Sequence, residues 1–301
     1  MANKKEQSLQ AHQRVNKIIR YIVLIFLTVL CIFPFYILIV NATHSSSDII
    51  RGLFTGDTFG QKLSTILPGT WFIKNFKTVM SKGASLPVVT GMINSLIVSA
   101  LTALCATYFS CLTAYSIHAY DFKGRKFIST FILIIMMIPT QVTTLGFYDL
   151  MKTIGLVNNF VPLIVPAIAS PVIYFFMLQY MQSSLPLEIV EAARIDGSNE
   201  FRTFNSIVLP IMKPAIAVQA IFSFVSSWNN YFVPNIILDS QHSKLWTLPI
   251  VIAKMQNSDF NSLDNGMVYM TIFLSIVPVI IIYLILSRYI IQGVAVGSVK
   301  G

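Results

Sequence analysis

Six stretches of the chain, roughly 21–40, 92–117, 127–145, 160–180, 215–232 and 267–289, carry no charged side chain apart from Arg288. About 20 apolar residues in a helix cross about 30 Å of hydrocarbon, so each stretch has the reach of a membrane span. None alternates apolar with polar residues as barrel strands do, and a backbone in lipid must satisfy its own hydrogen bonds. The pattern predicts an all-α polytopic membrane protein with six transmembrane helices.

Composition agrees. The 301 residues are 55% hydrophobic and 11% charged, which favours a bilayer over water as solvent. The formal charge of +9 is placed at span ends rather than in a basic, aromatic-interleaved patch, which argues against nucleic acid as a partner. Lys4, Lys5, Arg14, Lys17 and Arg20 precede the first span, and Lys123, Arg125 and Lys126 crowd the connection after the second. By the positive-inside rule both sites are cytoplasmic, and six spans return the C-terminus to that side. The first outer loop is basic as well, with Arg51, Lys62, Lys74, Lys77 and Lys82, but long loops obey the rule less strictly. The first apolar run is too long for a signal-peptide core and reads as an uncleaved anchor in a multi-pass protein of the cell membrane. Cys31, Cys105 and Cys111 lie inside spans and read as small buried hydrophobes.

Within the spans, Ser95, Ser99, Ala103, Thr107 and Cys111 recur every four residues, a ridge that lets another helix approach closely. Two roles fit Asn94: a hydrogen bond to a neighbouring segment, or a place on a polar cavity. Pro139 should kink or end the third span, and Thr140, Gln141, Thr143 and Thr144 follow it. These polar residues fit both the wall of a water-accessible path and an exit at the outer interface.

The connection 181–214 is long and patterned. Pro186 and the helix formers of 187–195 predict a short helix that Asp196-Gly197 ends. Ser198 is placed to cap a second helix, with Glu200 in its first turn. Phe201, Phe204 and Val208 fall on one face of it, and Leu209-Pro210 is expected to end it. A helix-turn-helix presenting aromatic side chains and carboxylates suits docking into a partner's groove, and equally an amphipathic hairpin on lipid headgroups.

At these residues the chain resembles a known family. Glu191-Ala192-Ala193, Gly197, Ile207, Leu209 and Pro210 match the EAA signature of permease subunits of ATP-binding-cassette importers, and Glu191 to Gly197, EAARIDG, is most similar to MalG-type permeases of the sugar-uptake branch. Asn94-Ser95-Leu96, Met137-Ile138-Pro139, Trp228 to Phe232 with Pro234, and the tail from Gly293 extend the resemblance over about 86–301. Asn230 departs from it, standing where many relatives carry an acidic residue.

The resemblance implies a cytoplasmic tail at 1–20, a first helix and outer loop at 21–85, a permease core at 86–292 with its EAA loop at 181–214, and a cytoplasmic tail at 293–301. It implies that Glu191, Ala192, Ala193, Asp196, Gly197, Phe201, Leu209 and Pro210 couple the chain to an ATPase dimer, and that Ser298, Val299 and Lys300 reach that dimer. It further implies a second, different permease chain, an extracytoplasmic solute-binding protein, and ATP and Mg bound by the ATPase subunits rather than here.

The chain itself holds no G-x-x-x-x-G-K-[ST] loop, no H-E-x-x-H and no C-x-x-C, so it reads as the path and not as an enzyme. The absence of Asp, Glu or Arg near the middle of any span argues against an ion-coupled secondary transporter. Since a sugar needs polar partners and a stacking surface, Gln141, Trp228, Asn229 and Tyr231 are the candidates for its path, with packing as the competing role of Trp228. A related branch carries glycerol phosphates, which keeps another polar solute as the alternative substrate.

Overall fold

The structure is a computed structural model that describes residues 2–50, 66–81, 86–239, 241–256 and 264–298, the side chains of 2–13, 15, 140, 141 and 289–298 excepted. Every regular element among the described residues is helical. Among the described residues four helices are long and apolar enough to cross a membrane, at Asn16–Ala42, Val88–Ala119, Val161–Ser184 and Asn265–Arg288, and a fifth is reached if a pair bent by 81° counts as one span.

The expected span 127–145 is not one helix. Arg125–Met136 and Thr140–Thr153 are separate, because Pro139 is held extended at φ −61°, ψ 126°, and the Met137 and Ile138 amides fold back three residues instead of continuing the helix. The expected span 160–180 is present as Val161–Ser184, built of three consecutive helical pieces, Val161–Ile164, the 3₁₀ turn Val165–Ala169 and Pro171–Ser184, with Pro162, Pro166 and Pro171 opening new turns. The expected span 215–232 stops at Trp228, and a short helix, Phe232–Ile237, follows.

The chain divides into two compact units, Met1–Ser81 with Ser258–Phe273, and Lys82–Asn257 with Leu274–Gly301. In the first, large apolar side chains of the Ala2–Ala42 helix stand exposed between Ile18 and Tyr36, as lipid-facing residues do. Beyond the helix the buried Asn75 donates from Nδ2 to the Ala42 and His44 carbonyls at 2.9 and 2.8 Å, so polar backbone is satisfied where the chain turns.

The second unit is built around Val88–Ala119, which packs against Lys213–Trp228, Pro171–Ser184, Val165–Ala169 and Leu248–Gln256. All five residues of its small-side-chain ridge are buried. Gly91 shows how close the approach is: a Cβ there would lie 2.9 Å from the Val251 Cγ2. Of the two roles open to Asn94, the bond to a neighbouring segment is the one present. Its Nδ2 donates to the Lys244 and Trp246 carbonyls, both at 2.9 Å, and Ser95 Oγ accepts the Leu248 amide at 2.8 Å.

Asn94→Leu should strand the Trp246 carbonyl in a buried place, at about 1 to 3 kcal/mol. The expected result is a lowered thermal midpoint in detergent, and an unchanged midpoint would mean that these bonds hold nothing.

Candidate functional site

Two places in the second unit gather side chains that the fold alone does not require. One is the hairpin between Pro171–Ser184 and Lys213–Trp228. Its first arm, Leu187–Ile195, buries Val190 and Ala193 against the body and leaves Glu191, Ala192 and Arg194 exposed. Gly197 ends the arm at φ +76°, where its amide donates to the Arg194 carbonyl and the next amide, of Ser198, to that of Ala193. This 6→1 and 5→2 pair closes a helix with a left-handed residue, for which glycine pays no Cβ penalty.

The second arm departs from expectation in three respects. Its cap is Asn199, whose Oδ1 accepts the Arg202 amide at 2.8 Å, while the Ser198 hydroxyl accepts from Thr203 instead. Leu209-Pro210 does not end it. Glu200–Thr203 runs through a π turn, Phe204–Val208, into Leu209–Ile211, with the Leu209 amide on the Phe204 carbonyl, and the break comes at Met212 with the 81° bend. A wide turn relieves the clash of a proline ring with the carbonyl four residues back. Lastly, Phe201 does not share a face with Phe204 and Val208. Those two are buried, whereas Phe201 is 73% exposed.

Phe201 faces outward at the start of the second arm, and Ile195, 87% exposed, does so at the end of the first. Ile195 is a tip residue that sequence reasoning passed over, because helical periodicity counts it as one more helix former. Two large apolar side chains exposed on either side of the turn are of the kind that enters a partner's groove.

The hairpin is seated on Val88–Ala119. Phe204 lies between Tyr108 and Tyr115, each ring 5.6 Å away, and the Tyr108 hydroxyl donates to Asn205 Oδ1 at 3.2 Å. The Glu200 carboxylate receives Arg194 Nε on one oxygen at 2.8 Å and the Tyr115 hydroxyl on the other at 2.9 Å, and the Arg194 guanidinium lies over the Tyr120 ring. Burial alone would raise the Glu200 carboxyl, but hydrogen bonds from Tyr120, Arg194 and Tyr115 outweigh it and hold the group below the usual carboxylate range. The same bond to Glu200 keeps Arg194 above its ordinary value.

The second place is a cavity of about 320 Å³ toward the other end of Val88–Ala119. Ser95 and Ser99 line it with Thr143, Thr144, Ser227, Asn230 and Thr247, and Phe147 and three prolines supply apolar wall. Ser99 Oγ and Thr247 Oγ1 are buried without a hydrogen-bond partner among the described residues, an unusual state for native hydroxyls. Among the described residues no Asp, Glu, Lys or Arg lines it. The cavity fits a neutral, hydroxylated guest that can both give and accept hydrogen bonds.

Three of the expected path residues, Trp228, Asn229 and Tyr231, line a different cavity, of about 420 Å³. Trp228 is 3% exposed and stacks on Phe224 with centroids 5.7 Å apart, a packing aromatic whose edge reaches that cavity. Gln141 is in the Thr140–Thr153 helix, its side chain outside the described residues. Ser298 ends the Asn265–Ser298 helix, with its side chain likewise outside the described residues, as are Val299 and Lys300 entirely. The cavity residues Ser99, Ser227, Asn230 and Thr247 were missed. Only Asn230, polar at the end of an apolar run, gave any signal.

Comparison with known proteins places this arrangement. Residues 106–296 match the family described as binding-protein-dependent transport system inner membrane component. The arabinooligosaccharides transport system permease protein AraQ of Halalkalibacterium halodurans is 34% identical over 92% of this chain and 94% of its own, and AraQ of Bacillus subtilis is 34% identical over 91% and 92%. The lactose transport system permease protein LacG of Rhizobium radiobacter is 29% identical over 96% and 98%. A chain of a bacterial ABC transporter involved in import of the acidic polysaccharide alginate has the same fold, with a TM-score of 0.76 at 21% identity over 92% of this chain and 96% of that one. With that match over well more than half its length and relatives above 30% identity along nearly all of it, the chain belongs to the binding-protein-dependent transport system inner membrane components, the permease subunits of ABC importers.

Proposed function

We propose that this chain is one of two different permease subunits of an importer for a neutral oligosaccharide. Each subunit supplies six spans, with the third, 125–153, crossing as a broken pair and both termini cytoplasmic. The hairpin docks into a cytoplasmic ATPase dimer through Ile195, Phe201, Glu191 and Asp196, the C-terminal tail reaches the same dimer, and a binding protein delivers solute from outside. ATP and Mg reside on the ATPase subunits, and this chain performs no chemistry of its own.

The observation that carries the substrate class is the uncharged, hydroxyl-rich cavity with two unpartnered hydroxyls. It stands with relatives named for arabinooligosaccharides and lactose. One relative, the sn-glycerol-3-phosphate permease protein UgpE of Brucella abortus, 27% identical, is named for an anionic solute. A phosphate calls for cationic donors, and the cavity lining has none among the described residues.

The test is ATP-dependent uptake by the full complex in proteoliposomes, offered labelled arabinotriose, lactose and glycerol 3-phosphate in parallel. Uptake of a neutral sugar and not of the phosphate is expected. Uptake of the phosphate alone would overturn the substrate class, and ATP hydrolysis by this chain in isolation would overturn its role.

A further inference from the structure

We propose that Glu200 is a positioning residue that latches the hairpin to the Val88–Ala119 helix, so that the two move as one lever between the hairpin and the hydroxyl-lined cavity. This rests on the hairpin being the ATPase dock.

The Glu200 carboxylate joins three elements at once. Arg194 comes from the first arm, Glu200 from the second, and Tyr115 from the spanning helix, with contacts of 2.8 and 2.9 Å on separate oxygens. The hairpin is otherwise seated by apolar packing of Val190, Phe204 and Val208 on the helix and by one longer hydrogen bond, from the Tyr108 hydroxyl to Asn205 Oδ1 at 3.2 Å. Apolar contact is non-directional and tolerates sliding or rotation, whereas a hydrogen bond weakens steeply when bent. The Glu200 link therefore fixes the angle between hairpin and helix. Tyr115 is 2% exposed, so its hydroxyl depends on this partner.

At the far end of the same helix, Ser95 and Ser99 form part of the cavity wall. Twenty residues separate Ser95 from Tyr115, about 30 Å of continuous helix. A rigid helix held at a fixed angle to the hairpin passes a tilt at one end to the wall at the other.

The Arg194 and Glu200 side chains are themselves 36% and 45% exposed, and ion pairs so exposed add little stability. Losing Glu200 should therefore leave the fold standing, which makes the latch testable.

The experiment uses the complete complex in proteoliposomes, with Cys31, Cys105 and Cys111 replaced by serine and Ser99→Cys introduced as reporter. Its labelling rate by a small cationic methanethiosulfonate is measured with and without ATP, alongside ATP hydrolysis and retention of the ATPase subunits. In the parent complex ATP changes the labelling rate. In Glu200→Ala the ATPase subunits stay bound and hydrolyse ATP, while the ATP-dependent change shrinks about tenfold, the scale of one charge-assisted hydrogen bond. Tyr115→Phe moves the same way, and the double variant falls no further than Glu200→Ala, because the bond that Tyr115→Phe removes is already lost with Glu200.

A merely destabilised fold would raise labelling equally with and without ATP, and that result overturns the latch. So does an unaltered ATP response in both single variants, and so does loss of the ATPase subunits from Glu200→Ala, which would put Glu200 in the dock itself. Failure of the docking reading looks different: Glu191→Lys then keeps its ATPase subunits and its ATP response.

Discussion

Gly197→Val is expected to abolish uptake while leaving the chain in the membrane at near-normal levels. Gly197 sits at φ +76° with open space around it, so the obstacle is backbone conformation and not a clash with neighbours. A left-handed residue with a Cβ costs about 1 to 2 kcal/mol, and a β-branched one is worse placed still. The chain can relieve that strain by unwinding the cap, which loses the Ser198 and Gly197 amide bonds and re-aims the exposed Ile195 and Phe201. The spans satisfy their own backbone hydrogen bonds and do not depend on the turn. Uptake and co-purification of the ATPase subunits should fall together in membranes matched for permease content. Glu191→Lys should fall with them, by repulsion at a basic docking surface. Full uptake and retention in both variants would show that the hairpin is not the dock.

The second large effect is expected in the cavity. Replacing both Ser227 and Asn230 by alanine removes two hydrogen-bonding groups from its wall at about 1 to 1.5 kcal/mol each, which corresponds to about a hundredfold in uptake below saturation. Asn229→Ala and Tyr231→Phe, on the neighbouring cavity, should change uptake little. ATPase retention should be normal in all of these variants, because the hairpin is untouched. The reverse ranking would move the sugar path to the 420 Å³ cavity beside Trp228.

How far these sites could be read in advance follows from the physics of each signal. Long uncharged runs announced the helices at 88–119 and 265–298, because membrane thickness is a constraint on length. The turn at Gly197 was legible because its signature is local: a helix, a glycine, then polar residues able to cap. Asn199 rather than Ser198 took the cap because that choice depends on a backbone angle one residue away, which composition does not reveal.

Pro139 announced a break, but not that the chain would stop and restart there, since a kink and a full interruption begin with the same missing amide. The cavity was legible only at Thr143 and Thr144, which fitted a path wall as well as an exit at the interface. Its polar wall is assembled from segments as far apart as Ser95 and Thr247, each a single hydroxyl or amide in an apolar run. Trp228 drew attention for its size, yet its partner Phe224 is four residues earlier, a spacing that favours stacking on a helix.

The wide turn at Phe204–Val208 has a consequence for how such chains can diverge. A π turn holds one residue more than the α-helical turn it replaces, and each residue in an α-helix advances the face by about 100°. Deleting one residue there, with the turn closing to α, would rotate the hairpin tip by roughly that angle about the axis of its own arm while every tip and span residue stayed the same. The turn is thus a phase adjuster: a single insertion or deletion could re-aim Ile195 and Phe201 at a differently shaped ATPase without any change in the surfaces that meet.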